Sequence, residues 1–301
     1  KVSLAWVMKK YLIFRTDRVG DFLFSLKLIK IIKINDPLSE ITVIASEKNQ
    51  KYIKTFDDID KIITLKNNLF SKIRLIFHLR KNEYETIIVH DGKKRSKFVS
   101  FFLKFKKKAI CITNLIDTQI EIIQKACKKV DLKFDNRCLN FLDNRKYSSK
   151  NLPFKDYIHF HFDEKWIYET YIKKYVNIEP KKDDLVTFIK KLIKKDNNLI
   201  ITTGKNISIL LKSIKSEINP EKVRIFENQE LLEIENVVSN SILLISCHGW
   251  ITHIASAMNV RQIDIIDSSY PYNKWTSHFR NYNFLIRKSF KPLSEEIIKL
   301  I

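Results

Sequence analysis

Short apolar runs separated by longer amphipathic stretches recur along the whole chain, and this alternation is what most limits its fold. Leu12–Phe14, Ile41–Ala45, Lys61–Leu65, Thr86–His90 and Lys108–Ile112 have the length and apolar content of strands. Between them, Asp21–Ile34, Leu69–Arg80, Ser96–Phe105 and Asp117–Val130 carry apolar residues at helical spacing. A strand can gain a parallel neighbour only through a crossover long enough to hold a helix, so this alternation predicts βαβ units and a parallel sheet.

The rhythm lapses over Asp131–Asn151, where Asn, Asp, Ser and Lys collect ahead of Pro153. It resumes with strands at Tyr157–Phe160, Leu199–Thr203, Lys222–Ile225, Ser241–Ser246 and Gln262–Ile266. The intervening helices are Glu164–Tyr175, Asp184–Lys194, Asn206–Glu217, Glu230–Ser239 and Gly249–Met258, with Leu293–Ile301 closing the chain. The lapse reads as a linker. The 301 residues therefore divide into two α/β domains, 1–150 and 151–301. No repeat of short fixed period is present.

A formal charge of +21 favours anionic partners such as nucleotide phosphates, phosphorylated lipid or nucleic acid. A composition rich in Lys, Ile and Asn accounts for much of it, although Lys104–Lys108 and Lys190–Lys195 are dense. The charge is spread along the chain without a recognised nucleic-acid motif, so no nucleic acid is expected. No apolar run is long enough to cross a bilayer, and Leu4–Met8 is too short for a signal peptide. Cys111, Cys127, Cys138 and Cys247 show neither metal nor redox spacing and suit a reducing cytoplasm. Met8-Lys9-Lys10 before an apolar strand reads as a natural start, which would make residues 1–7 extra sequence.

Only four glycines occur, and each falls beyond the carboxyl end of an expected strand: Gly20, Gly92, Gly204 and Gly249. That end of an open parallel sheet is where ligands bind, though turn geometry alone also calls for glycine. Around Gly20 the loop Arg15-Thr16-Asp17-Arg18-Val19-Gly20-Asp21 packs two cations and two carboxylates into seven residues. Asp21 falls at a helix start, as a cap or as a carboxylate able to act as general base. Arg15 and Arg18 are candidates for binding a substrate, or for pairing with Asp17.

Two further groups lie in the second half. Tyr157-Ile158-His159-Phe160-His161 leads into Asp163-Glu164-Lys165-Trp166, with both histidines on one strand face. Strand Leu243–Ile245 runs into Ser246-Cys247-His248-Gly249 and then a helix whose first turn holds Thr252 and His253. Free backbone amides there favour a phosphate. Adjacent side chains seldom face each other, which disfavours a Cys247–His248 nucleophilic pair, and Cys247, His248 and His253 lack a fourth ligand for zinc. Thr202-Thr203-Gly204-Lys205 and Asp267-Ser268-Ser269-Tyr270-Pro271 end strands with polar groups. Trp275, His278 and Arg280 are near enough in sequence to join their rim.

FRTDRVGDFLFSLKLIKIIK resembles the opening of glycosyltransferase family 9, the lipopolysaccharide heptosyltransferases, in its strand-final Arg, short loop, Gly-Asp and apolar helix. Lys27 stands where that family usually has Pro. The resemblance extends to Gly249 and His253, which correspond to a donor-binding Gly and His. This chain has one more residue between them, and Cys247-His248 replaces the family's acidic residue and Ser/Thr. Lys165-Trp166 resembles a pair whose Lys contacts donor phosphate.

The resemblance implies a GT-B fold, two Rossmann-like domains with parallel sheets facing across a cleft, and a metal-independent inverting glycosyltransferase. Asp21 would be the base, with acceptor contacts from Arg15, Arg18 and Gly20. Donor contacts would come from Lys165, Thr203, Gly204, His248, Gly249, Thr252 and His253. No cofactor is implied beyond a donor such as ADP-heptose or another nucleotide-diphospho-sugar. The acceptor would be a lipopolysaccharide core or similar glycolipid at the anionic inner membrane face, reached by a cytoplasmic protein that docks peripherally. Two other readings stay open: a non-catalytic sugar-nucleotide or glycan binder, and a basic nucleic-acid-binding protein.

Overall fold

Leu12, Ile13 and Phe14 are buried on both sides, so the strand they form must be covered by helices above and below. A computed structural model shows this arrangement twice. It describes residues 8–114, 116–143, 145–148, 152–167, 175–194, 197–204 and 208–301. The chain forms two units, Lys1–Phe141 with Asn273–His278, and Leu142–Tyr272 with Phe279–Ile301.

The first unit runs β1 (Lys10–Phe14), α1 (Val19–Asn35), β2 (Glu40–Ala45), α2 (Gln50–Ile53), β3 (Lys61–Thr64), α3 (Leu69–Leu79), β4 (Glu83–Val89), α4 (Lys94–Phe101), β5 (Lys104–Ile110) and α5 (Gln119–Lys129). Its strands are parallel in the order β3-β2-β1-β4-β5, with Leu12 opposite Thr42 on one side and Ile87 on the other. The helix expected over Ser96–Phe105 stops at Phe101, and Lys104 begins β5. As an edge strand with exposed lysines, β5 hides its start from an apolar-pattern reading. Gly20 is also not a loop residue: α1 begins at Val19, so Gly20 is helical.

The second unit runs β6 (Tyr157–Phe162), α6 (Lys182–Leu192), β7 (Asn198–Thr203), α7 (Ile209–Ser213), β8 (Val223–Phe226), α8 (Leu231–Ser239), β9 (Leu243–Cys247), α9 (Trp250–Ala257) and β10 (Gln262–Ile266). After α10 (Asn273–Thr276), which lies in the first unit, it ends with β11 (Tyr282–Ile286) and α11 (Phe290–Lys299). Its parallel order is β11-β10-β9-β6-β7-β8. The sequence pattern misses β11, a largely exposed edge strand without a buried run. The helix expected over Glu164–Tyr175 opens as a 3-10 turn at Glu164–Trp166, and residues 168–174 lie outside the described residues.

The segment read as a linker is held to both units in turn. A 3-10 turn at Asn136–Asn140 packs on α1 with Cys138 fully buried. Further on, Arg145 and Tyr147 both reach the fully buried Glu235 of α8 at 3.0 Å.

Lys27, on α1, is fully buried. Its Nζ lies 4.5 Å from the ring centroids of Phe24 and of Phe141 and makes no hydrogen bond among the described residues. Trp275 and His278 pack against the same Phe24, at 5.5 and 6.1 Å. Near enough in sequence to join the rim of the second unit's strand ends, these two half-buried residues instead pack on the first unit.

Burial pulls the Lys27 amine down to about 7, against 10.5 in the unfolded chain. The cost is therefore absent above pH 10.5, grows as pH falls toward 7, and is constant below that. Contact with two aromatic rings offsets part of it. Replacement by a similarly long apolar side chain, Lys27→Met, is expected to stabilise the fold at pH 7 by about 1–3 kcal/mol, with the gain shrinking toward pH 10.5. Denaturant melts of both proteins across that pH range check the sign.

Candidate functional site

Each sheet reverses its strand order once, between β1 and β4 in the first unit and between β6 and β9 in the second. The crossovers on either side of such a point leave in opposite directions, and the carboxyl ends of the two central strands open a crevice. The sequence-predicted residues fall at these two places.

In the first unit the loop after β1 is braced from β4. Asp91 Oδ2 accepts hydrogen bonds from the Thr16 amide (3.1 Å), the Thr16 hydroxyl (2.6 Å) and the Ser96 hydroxyl (2.7 Å). Arg95 Nε donates to Thr16 Oγ1 at 3.0 Å. Arg15 is buried; its Nε donates to Ser25 Oγ at 2.8 Å and its Nη1 meets Asp17 at 3.2 Å. Ser25 in turn bonds His90 Nδ1 at 2.8 Å. Burial, then Arg15 and Lys27, hold His90 neutral. Arg15 thus works inside the fold and anchors the loop. Burial, only partly offset by Arg15, pushes the Asp17 carboxyl up.

Asp21 stands in the first turn of α1, half-buried, with Oδ2 accepting the Arg18 amide at 3.3 Å. It caps the helix and stays at the surface of the crevice end. The Arg18 side chain is exposed.

In the second unit Lys165 is the centre. Its Nζ meets Asp163 Oδ2 at 2.6 Å, with both side chains almost wholly buried. The Lys165 amide donates to Asp163 Oδ1 at 3.1 Å. Burial opposes both charges. The Lys165 ammonium, with help from His161, nevertheless holds the Asp163 carboxyl well below the usual range, and Asp163 holds Lys165 well above its own. A chain of contacts continues inward, from Asp163 to His161 (3.5 Å), and from the Thr202 hydroxyl to His161 and His159 (2.7 Å each). Arg287 fixes the Lys165 backbone, donating to its carbonyl at 2.9 Å.

Gly249 explains itself here. It precedes α9, and its extended backbone suits any residue. A Cβ at this position, however, would lie 2.7 Å from Lys165 Nζ. Glycine lets the ammonium reach the amino end of α9, where free backbone amides gather. Gly92 keeps the other role: φ is +60°, and a Cβ would meet the Cys111 carbonyl at 2.5 Å, so its need is structural.

His248 is next to Gly249. Its Nδ1 bonds Asp264 Oδ2 at 2.7 Å, and Tyr282 donates to the same oxygen at 3.0 Å. Asp264 is fully buried on β10, one strand over from β9. A carboxylate from the neighbouring strand thus fixes the His248 ring. His253 packs its ring against His248 (5.6 Å) and Phe279 (5.1 Å).

Other candidates are turned inward. Thr252 is fully buried and donates to the Gly249 carbonyl at 2.7 Å. Thr203 is buried and donates to the Gly204 carbonyl at 3.0 Å, while Gly204 lies against Glu164. Lys205 is outside the described residues. Cys247 is buried with its thiol pushed up by burial, which removes it as a nucleophile. Among the described residues no three His, Cys, Asp or Glu side chains form a metal-holding group.

No family model and no curated protein matches the chain. Solved structures match its fold. E. coli heptosyltransferase WaaC with ADP-2-deoxy-2-fluoro heptose resembles it with a TM-score of 0.70 at 10% identity, over 97% of this chain and 100% of that one. The glycosyl transferase family 9 protein of Veillonella parvula DSM 2008 gives 0.69 at 11% identity, over 97% and 91%. UDP-GlcNAc 2-epimerase from Methanocaldococcus jannaschii gives 0.57 at 11% identity, over 98% and 92%. The fold is therefore GT-B-like, two parallel α/β units, and it is shared at low identity with family 9 glycosyltransferases and heptosyltransferases.

Asp91 and Asp264 are not among the residues the sequence singles out, and Asp163 and His161 figure there only as neighbours of Lys165. Asp264 had a signal, a lone acid inside the apolar strand Gln262–Ile266. Removing Asp163 strands a buried ammonium, so Asp163→Ala is expected to destabilise the protein by about 3 kcal/mol. Urea melts read this directly, and a loss under about 1 kcal/mol would mean Lys165 escapes to water.

Proposed function

We propose that the protein is an inverting glycosyltransferase that moves a sugar from a nucleotide-diphospho-sugar to a surface-glycan acceptor. The observation that carries this reading is Lys165 held by Asp163 over Gly249 at the start of α9. A fixed cation beside free helix amides suits a diphosphate, and suits it better as negative charge grows on departure. The GT-B-like fold supports the same class.

In this mechanism Asp21 accepts the proton of the acceptor hydroxyl, whose oxygen attacks the anomeric carbon. The bond from that carbon to the diphosphate oxygen breaks, the electron pair leaves with the nucleotide, and configuration inverts. Lys165 and the α9 amides, rather than a metal ion, neutralise the leaving group. His248, its ring fixed through Nδ1 by Asp264, presents its other nitrogen as a further contact. A heptose-like sugar carried by ADP and a lipopolysaccharide-core acceptor are the specific substrates of this proposal. They follow from the sequence resemblance and from the ADP-sugar held by the E. coli neighbour.

A thermal-shift panel of nucleotide sugars is the first test, because a ligand at about a hundred times its Kd adds ~2.7 kcal/mol of apparent stability. ADP-heptose is expected to shift the melt and Lys165→Met to abolish the shift. With that donor, Asp21→Asn is expected to lower kcat by about 10²–10⁴-fold with donor affinity unchanged. Donor binding without any turnover in the wild type, and with no effect of Asp21→Asn, would favour a non-catalytic binder instead.

A further inference from the structure

Helices on a sheet normally turn their largest apolar side chains inward, and α3 and α4 do the reverse with theirs. Leu75, Ile76 and Leu79 of α3 and Val99 of α4 cover the same sheet face, and the two helices pack side by side. Their outer faces hold Phe70, Ile73 and Phe77 on α3 and Phe98 and Phe101 on α4, with Phe102 just past its end. Phe70 is 86% exposed, Phe101 75% and Phe77 66%. Phe102 contacts both Phe98 and Phe101 with ring centroids 5.2 Å apart, so the α4 rings form one raised cluster. An exposed apolar surface of this kind marks an interaction site.

Its surroundings say with what. Residues Lys66–Lys108 contain thirteen Lys and Arg against three acids, a net of ten positive charges out of the chain's +21. Nearly half of the chain's net charge thus lies in the segment that carries these rings. Only some of it is paired internally, as Lys106 with Glu85 at 3.0 Å and Lys107 with Asp131 at 3.3 Å.

We propose that the outer faces of α3 and α4 dock on an anionic phospholipid bilayer. The phenylalanines enter the headgroup–acyl boundary and the surrounding lysines and arginines meet lipid phosphates. A second copy of the chain fits poorly, since two such faces repel each other. A single-stranded nucleic acid favours a row of open ring faces to stack on, whereas here Ile73 separates Phe70 from Phe77 and the α4 rings pack edge to face.

The surface also has a functional position. α4 begins beside the Asp21 loop, where Arg95 bonds Thr16. Docking would therefore bring the base close to a lipid-borne acceptor; this consequence rests on the glycosyltransferase reading, but the docking does not.

The test is flotation of the full chain with phosphatidylcholine vesicles, plain or containing about one-third phosphatidylglycerol, free of any glycan. Binding to the anionic vesicles only is expected, falling several-fold from low to high salt. Phe70→Ser/Phe101→Ser is expected to cut partitioning at least about tenfold without changing the melting temperature. Phe284→Ser, which removes a 54%-exposed ring in the second unit, is expected to leave it unchanged. Failure to bind anionic vesicles, or equal partitioning of the double variant, overturns the proposal. So does a double variant that loses oligonucleotide binding or self-association while keeping vesicle binding. A missing nucleotide-sugar shift would sink the enzymatic reading and leave the vesicle result standing.

Discussion

A parallel sheet wound outward in both directions from two central strands leaves a gap where its crossovers diverge, and that topological constraint organises this protein. It acts twice. In one unit it sets the loop after β1 beside the end of β4, so that Asp91 can brace Thr16 and hold the Arg15–Asp21 segment in one shape. In the other it sets the turn after β6 beside the turn after β9, so that Lys165 and Gly249 meet. Neither arrangement is available to residues adjacent in sequence.

The two places solve different electrostatic problems. At Lys165 a buried cation is held by a buried carboxylate, with the histidine and threonine chain behind it fixing the carboxylate in turn. Such a pair gives little net stability, since desolvation consumes much of the attraction. What it provides is a charge fixed in position, which is what a diphosphate site requires. At Lys27 the opposite choice is made: a buried amine lies against two aromatic rings, makes no hydrogen bond among the described residues and sheds its proton readily. The first arrangement is the one on which the proposed function rests; the second is a tolerated cost.

Much of the fold was legible because burial on both faces of a parallel strand leaves an unmistakable apolar run. Where a strand lies at an edge that signature fades, as in lysine-rich β5, or the apolar residues stay largely exposed, as in the short β11. The candidate site was legible in part. Gly249 and Lys165 stand out by residue type, but that one exists to admit the other appears only when a Cβ is set against the ammonium. Arg15 looks in sequence like a binding residue and is in fact committed to Ser25 and Asp17. His248 stands where the sequence shows no acid beside it, yet it is bonded to Asp264 from a neighbouring strand.

The sequence by itself determined the βαβ rhythm, the division into two α/β halves and the clustering of reactive groups at strand ends, because these depend on local periodicity and on turn residues. Tertiary structure alone decided which of those groups are partners and which are scaffolding. It also decided that the exposed phenylalanines of α3 and α4 share one charged face. Pairing across strands and packing between helices join residues tens of positions apart, and no local pattern records them.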